Sequence, residues 1–264
     1  MQEQLYSLST TSIYGISAGK GPPVICLHGI TGNAYVFEPI VNRLANRFHV
    51  VSIDQRGHGR SGRPGTYRSA DFAADIAALV DELDEGPAIL LGHSLGCRNA
   101  LTTADLYPDH VRAVVALDFT PFIEVEVLDQ LEERVNGGNR SFSSPEEIRS
   151  YLTNRYPLLP ADAIERRTLY GYRKSAKGWQ PLADGQAMKL TVTGLRENIE
   201  GVVSRITQPT IMVRGALSKL VSVAAWHKTQ QLRPDIEMVE IAGSDHYIPE
   251  VKPIAVADLL TRLD

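Results

Sequence analysis

Gly92-His93-Ser94-Leu95-Gly96 follows the apolar run Ala88-Ile89-Leu90-Leu91 and opens a stretch, residues 95–106, that reads as a helix. A serine flanked by glycines at a strand-to-helix turn is the G-x-S-x-G pattern of a nucleophile elbow, and this flanking context gives the five letters their meaning. The glycines are needed because a serine held on so sharp a turn sits in strained backbone, where neighbouring Cβ atoms would clash. The helix start behind it directs free N–H groups at any negative charge that develops. The stretch predicts a nucleophilic Ser94 at the carboxyl end of a buried strand.

Working outward, short apolar runs rich in β-branched residues recur at 24–27, 48–53, 88–91, 111–117 and 210–213, each closing within two residues on Gly, His or Asp. Continuous rather than alternating hydrophobicity is what a strand buried on both faces requires, and it points to a parallel sheet with helices on each side. Between the runs lie helical patterns. Ser69 is placed to cap a helix whose Phe72, Ile76, Leu79, Val80 and Leu83 share one stripe. Two alternating stretches, 4–8 and 12–16, suit an antiparallel hairpin at the sheet edge. Strand, helix 221–232, strand 237–241 and a final helix close the chain.

The rhythm breaks between residues 119 and 205, where the chain turns helical, polar and punctuated by Pro145, Pro157, Pro160 and Pro181, with no convincing buried strand. That is far too long for an ordinary loop. The expected organisation is an α/β core of residues 1–118 and 206–264, with a mostly parallel eight-stranded sheet flanked by helices. A helical lid, 119–205, is inserted after strand 6.

Composition narrows the function. The 264 residues are 43% hydrophobic, which is ordinary for a globular protein, and a net charge of -4 offers no general attraction for nucleic acid. Two cysteines, Cys26 and Cys97, cannot build a disulfide framework or a Cys-based zinc site and read as buried thiols. No basic segment precedes an apolar core at the N-terminus, and no apolar stretch nears the ~20 residues of a membrane span. A cytoplasmic protein that needs no membrane is the expectation.

Two further turns carry chemistry. His28-Gly29-Ile30-Thr31-Gly32 ends the first buried run, and an oxyanion donor belongs at such a turn, so the Ile30 N–H is expected to pair with that of Leu95. The His28 imidazole is read as shaping the turn. Gly243-Ser244-Asp245-His246-Tyr247 follows the last strand, where the general base belongs in the chain order serine, acid, histidine. His49, His110 and His227 lie within or before regular elements and read as structural, and His58 belongs to the Gly-rich scaffold turn 54–61. The acid is harder. The strand after the insertion runs into Gly215-Ala216-Leu217-Ser218 with no carboxylate before Asp235. Asp245 neighbours His246 too closely in sequence to reach its Nδ1–H. Asp118, closing the run 111–117 at the carboxyl edge beside Ser94, is the expected orienting acid.

Together these residues resemble the α/β-hydrolase superfamily over essentially the whole chain. Within it the finer resemblance is to bacterial hydrolases of vitamin B6 degradation. It is carried by Phe37-Glu38-Pro39, residues 54–59, the elbow with Arg98-Asn99, Asp118-Phe119-Thr120-Pro121, Arg155-Tyr156-Pro157, residues 218–222 and Asp245-His246-Tyr247. Those enzymes also draw the triad acid from the position matching Asp118. The resemblance implies a cofactor-free, metal-free Ser94–His246–Asp118 hydrolase cleaving an amide or ester. Its substrate would be an acylated enamine dicarboxylate, its products acetate, ammonia, carbon dioxide and succinic semialdehyde. It also implies that Arg134, Arg155, Tyr156 and Tyr247 bind substrate anions, a task suited to arginine's planar fork. Alternatively the lid arginines are solvated or paired with neighbours such as Glu132 and Glu133. A general carboxylesterase, lactonase or carbon–carbon bond hydrolase shares the same triad, and a triad-bearing small-molecule receptor is the reading from another class. The expected partner is a small molecule, and a homodimer is left open.

Overall fold

A computed structural model describes residues 1–138 and 140–263. The chain runs β1 (Gln2–Ser7), β2 (Ser12–Ala18), β3 (Pro23–Leu27), α1 (Glu38–Leu44), β4 (His49–Ile53), α2 (Ser69–Leu83), β5 (Ala88–His93), α3 (Leu95–Leu106) and β6 (Val111–Leu117). An insertion follows, made of α4 (Val125–Asn136), α5 (Pro145–Arg155), α6 (Ala161–Tyr170), β7 (Tyr172–Ser175), β8 (Gly178–Pro181), α7 (Gly185–Gly194) and α8 (Glu200–Arg205). β9 (Thr210–Gly215), α9 (Val223–Leu232), β10 (Glu237–Ile241), α10 (Ile248–Val251) and α11 (Pro253–Leu260) complete it. Eight strands form one sheet in the order β1-β2-β4-β3-β5-β6-β9-β10. Within this sheet the β1–β2 and β2–β4 pairs are antiparallel, and the remaining pairs, β4–β3, β3–β5, β5–β6, β6–β9 and β9–β10, are parallel.

Side chains alternate across the pleat, and both faces are covered. Ile25 and Leu27 of β3 join one buried cluster with α2 and α3, whereas Val24 and Cys26 join the other with α1 and α11. Cys26 and Cys97 are both buried free thiols. The outer strands differ as sheet edges should: β1 buries only Tyr6, and β10 leaves Glu237 and Glu240 exposed.

Three local expectations need correcting. Ser69 is the first residue of α2, not its cap; the Asp71 carboxylate accepts the Arg68 N–H at 2.8 Å, while the Ser69 hydroxyl accepts from Arg98 Nε at 2.8 Å. The insertion is not purely helical. β7 and β8 pair antiparallel, and Tyr172 and Trp179 pack on a small cluster of Phe142, Ile148, Leu152 and Ile164. These four-residue strands are partly exposed and read as polar, so no buried-strand signal marks them. Finally, α8 falls inside the segment 119–205 yet packs Val203, with Ile199 and Ile206, into the central core. The part standing clear of the sheet's core ends before α8. Leu131 and Val135 of α4 and Met188 and Val192 of α7 pack on Tyr67, Phe72 and Leu95, which seats the insertion over the start of α3.

Candidate active site

The turn between β5 and α3 places Ser94 at φ 54° and ψ −113°, a conformation L-residues avoid. Two close approaches make the glycines obligatory. A Cβ on Gly96 would lie 1.9 Å from the Leu27 carbonyl oxygen, and one on Gly92 would lie 2.5 Å from the Cys97 nitrogen. The Ser94 N–H donates to the Leu117 carbonyl at 3.1 Å, so the elbow is fastened to the residue preceding Asp118.

Asp118 closes β6 at φ 55° and is fully buried. Its Oδ1 accepts the Gly215 N–H at 3.0 Å, its Oδ2 accepts the Ser218 hydroxyl at 2.6 Å, and His246 Nδ1 lies 2.7 Å from Oδ2. Asp245 is used otherwise: its carboxylate accepts the Tyr247 N–H at 3.0 Å. The His246 loop is also held from the elbow, because His93 Nε2 lies 2.7 Å from the His246 carbonyl oxygen. A carbonyl only accepts, so His93 carries its proton on Nε2. Burial, then the neighbouring His246, hold the His93 ring well below the usual histidine range, and it stays neutral.

The 28–32 turn abuts the serine. Gly32 N–H donates to the Gly29 carbonyl at 2.9 Å with Thr31 at φ 65°, leaving the Ile30 N–H outside the turn's own hydrogen bond. Leu95 is the first residue of α3, where helical geometry gives the N–H no intrahelical acceptor. The His28 imidazole is spent on structure. Its Nδ1 lies 2.8 Å from the Gly29 oxygen, and its Nε2 accepts the Gln55 N–H at 3.1 Å. Asn99 of α3 donates to Gln55 Oε1 at 2.7 Å, and Gln55 Nε2 donates to the His28 carbonyl at 2.6 Å, so α3 and the turn are cross-braced. His58 is wholly buried in the scaffold turn, its Nδ1 3.0 Å from the Arg56 oxygen.

Ser94, His246 and Ile30 line a cavity of about 150 Å³ with Arg134, Arg155, Arg167, Tyr156 and Tyr247. The Leu95 side chain instead packs with residues of α4 and α7. Arg134 lies in the last turn of α4 and Arg155 ends α5. Among the described residues neither forms an ion pair with a carboxylate. Glu132 turns to Arg196 at 2.8 Å, and Arg155 Nε donates to the Tyr156 hydroxyl at 3.3 Å.

Arg167 escaped sequence reasoning. On α6 it reads as one of two adjacent surface arginines, but it enters the cavity and lies over the rings of Tyr156 (4.6 Å) and Tyr247 (4.8 Å). Its Nε donates to Glu250 Oε1 at 2.9 Å, and its Nη2 meets Oε2. No local pattern signals this pairing, which spans 83 residues. The cationic cluster acts on the phenols. Burial alone would raise the Tyr156 hydroxyl, but Arg167, Arg155 and Arg134 together outweigh it and hold the pKa below that of a free phenol. Tyr247 is pushed up, first by burial and next by Tyr156. Among the described residues no three His, Cys, Asp or Glu side chains gather as metal ligands, and no helix is long and apolar enough to cross a membrane.

A sequence model of the alpha/beta hydrolase fold matches residues 22–253. The chain is 50% identical over 245 residues to the 2-(acetamidomethylene)succinate hydrolase of Mesorhizobium japonicum, spanning 92% of this chain and 88% of that protein. A crystal structure of E-2-(acetamidomethylene)succinate hydrolase superposes with a TM-score of 0.97 at 46% identity, over 99% of this chain and 98% of the other. A thioesterase domain from the curacin biosynthetic pathway superposes at a TM-score of 0.85 with 22% identity, over 99% of each chain, and shares the fold alone.

Proposed function

The chain belongs to the alpha/beta hydrolase fold family and is a hydrolase, and from that premise we propose that Ser94, His246 and Asp118 are its nucleophile, base and orienting acid. The substrate is an acylated enamine bearing two carboxylates, such as (E)-2-(acetamidomethylene)succinate, the compound for which the 50% identical relative is named. One observation carries the substrate class: two arginines, Arg134 and Arg155, line the cavity of Ser94 and His246, and among the described residues neither is paired with a carboxylate. The insertion that supplies both serves as the lid.

With its Nδ1–H donated to Asp118, His246 presents the Nε2 lone pair, which takes the Ser94 proton as Oγ attacks the acetyl carbonyl. The tetrahedral oxyanion is held by the Ile30 and Leu95 N–H groups. Collapse breaks the C–N bond, His246 returns the proton to the departing nitrogen, and the acetyl group remains on Ser94. Water then attacks by the same proton path, releasing acetate. The freed enamine tautomerises to an imine, which water converts to ammonia and an aldehyde. That aldehyde carries a carboxyl group on the adjacent carbon, and loss of carbon dioxide leaves succinic semialdehyde.

Purified protein is to be assayed for acetate release from this enamide and from a neutral aryl acetate. Arg134→Ala and Arg155→Ala are each expected to raise KM for the dicarboxylate about tenfold or more, as loss of ~1.4 kcal/mol of anion binding would. The neutral ester should be unaffected. Equal effects on both substrates, or turnover of the neutral ester only, would return the protein to the general carboxylesterase reading.

A further inference from the structure

We propose that Ser218 is a positioning residue that holds Asp118 as the hydrogen-bond acceptor of His246 and tempers the charge it places on the imidazole. The proposal rests on the Ser94–His246–Asp118 reading above. Ser218 lies in the turn after β9, the strand beside β6, and is buried at 8% exposure. A serine hydroxyl has one proton to give and two lone pairs. Both lone pairs are engaged, because the N–H groups of Leu220 and Val221 donate to Ser218 Oγ at 3.2 and 3.1 Å. The single proton therefore points to Asp118 Oδ2, 2.6 Å away.

That direction propagates. Oδ2 accepts from Ser218 and Oδ1 accepts the Gly215 N–H, so two donors favour the ionised, acceptor-only form of Asp118. The contact at 2.7 Å to His246 Nδ1 is then a donation by the imidazole, and Nε2 is left with its lone pair for Ser94. Two backbone N–H groups thus orient a hydroxyl, the hydroxyl supports a carboxylate, and the carboxylate sets the tautomer of the base. Ser218 also shares the charge of Oδ2. Without it that charge acts on His246 alone, which favours the imidazolium and disfavours the neutral base.

The other groups around the pair stay constant near neutral pH. His93 (ring 4.6 Å from that of His246) is held low by burial, Tyr247 (5.3 Å) is held high by burial, and burial pushes the Cys97 thiol up. Arg167 is matched by Glu250, and Arg214, whose Nε donates to the Val221 carbonyl at 2.8 Å, is matched by Glu240.

The test is the pH profile of kcat/KM for Ser218→Ala and Ser218→Cys, with Asp118→Asn as reference. Asp118→Asn is expected to lose on the order of 10⁴ in rate; near-normal activity there would remove the triad reading and this proposal with it. Given that loss, Ser218→Ala should move the acid limb to higher pH by about half a unit to one unit, as a lost donor to a carboxylate does. Ser218→Cys, which keeps the volume but donates weakly, should fall between serine and alanine, and it supplies the reading should the alanine variant not fold. The low-field proton resonance of His246 Nδ1–H should move in the same order. An acid limb and resonance unchanged in folded Ser218 variants, with Asp118→Asn still impaired, would overturn the role of Ser218 alone.

Discussion

Glu250→Leu removes a carboxylate that is fully buried and binds Arg167 through both oxygens. Leucine keeps most of the volume, so the cost is one of charge. Arg167, 19% exposed, is left between Tyr156 and Tyr247 with no counter-ion. Removing one partner of a buried pair costs about 3–5 kcal/mol, and the partial exposure of Arg167 places the expectation at the lower end, about 3 kcal/mol. At roughly 2–4 °C per kcal/mol for a domain of this order, the unfolding midpoint should fall by about 6–12 °C. Arg167→Met should be at least as damaging, because it strands the more buried member. Replacing both by Leu and Met should recover much of the loss, since an apolar pair leaves no unpaired charge. Calorimetric and urea unfolding of the four proteins at pH 7 closes the cycle. The uncompensated Arg167 of Glu250→Leu should also lower the Tyr156 phenol further, seen as ultraviolet absorbance of tyrosinate at lower pH. A loss below about 1 kcal/mol for Glu250→Leu, or losses that simply add in the double variant, would refute the reasoning.

Ser94→Ala should lower turnover by about 10⁴–10⁶ without changing the unfolding midpoint, and near-normal acetate release would remove the nucleophile assignment. Acid should destabilise the protein early. Burial lowers His28 to about 4, His58 to about 3 and His93 well below the ordinary histidine value of 6.5. As pH falls below about 6.5 the unfolded chain takes up protons at these rings that the folded chain refuses. Stability is therefore full above that value and is lost downward at up to about 1.4 kcal/mol per pH unit for each histidine. Urea midpoints measured from pH 7.5 to 5 should decline steadily, and a flat profile would contradict the neutral burial of these rings.

The fold was legible because its signals are local. Runs such as 24–27 and 88–91 show by continuous hydrophobicity that both faces of a strand are covered, and the observed β3 and β5 are buried along their length. The candidate site was legible where its residues end such runs: Ile30 after β3, Ser94 after β5, Asp118 after β6, His246 after β10. What failed lacked a strong period. β7 and β8 are four-residue, half-exposed strands, and α8 shows too little apolar length to announce that Val203 reaches the core.

Residues that act through distant partners were the least visible. His93, Ser218 and Arg167 owe their roles to His246, Asp118 and Glu250, which lie 153, 100 and 83 positions away. Hydrophobic period and glycine placement, each a property of neighbouring residues, determined the sheet, its order of strands and helices, and the sharp turn at Ser94. Which buried charge or hydroxyl meets which partner was decided only by tertiary packing. Burial strips these groups of water, and each must then find a complementary atom wherever the folded chain happens to bring one.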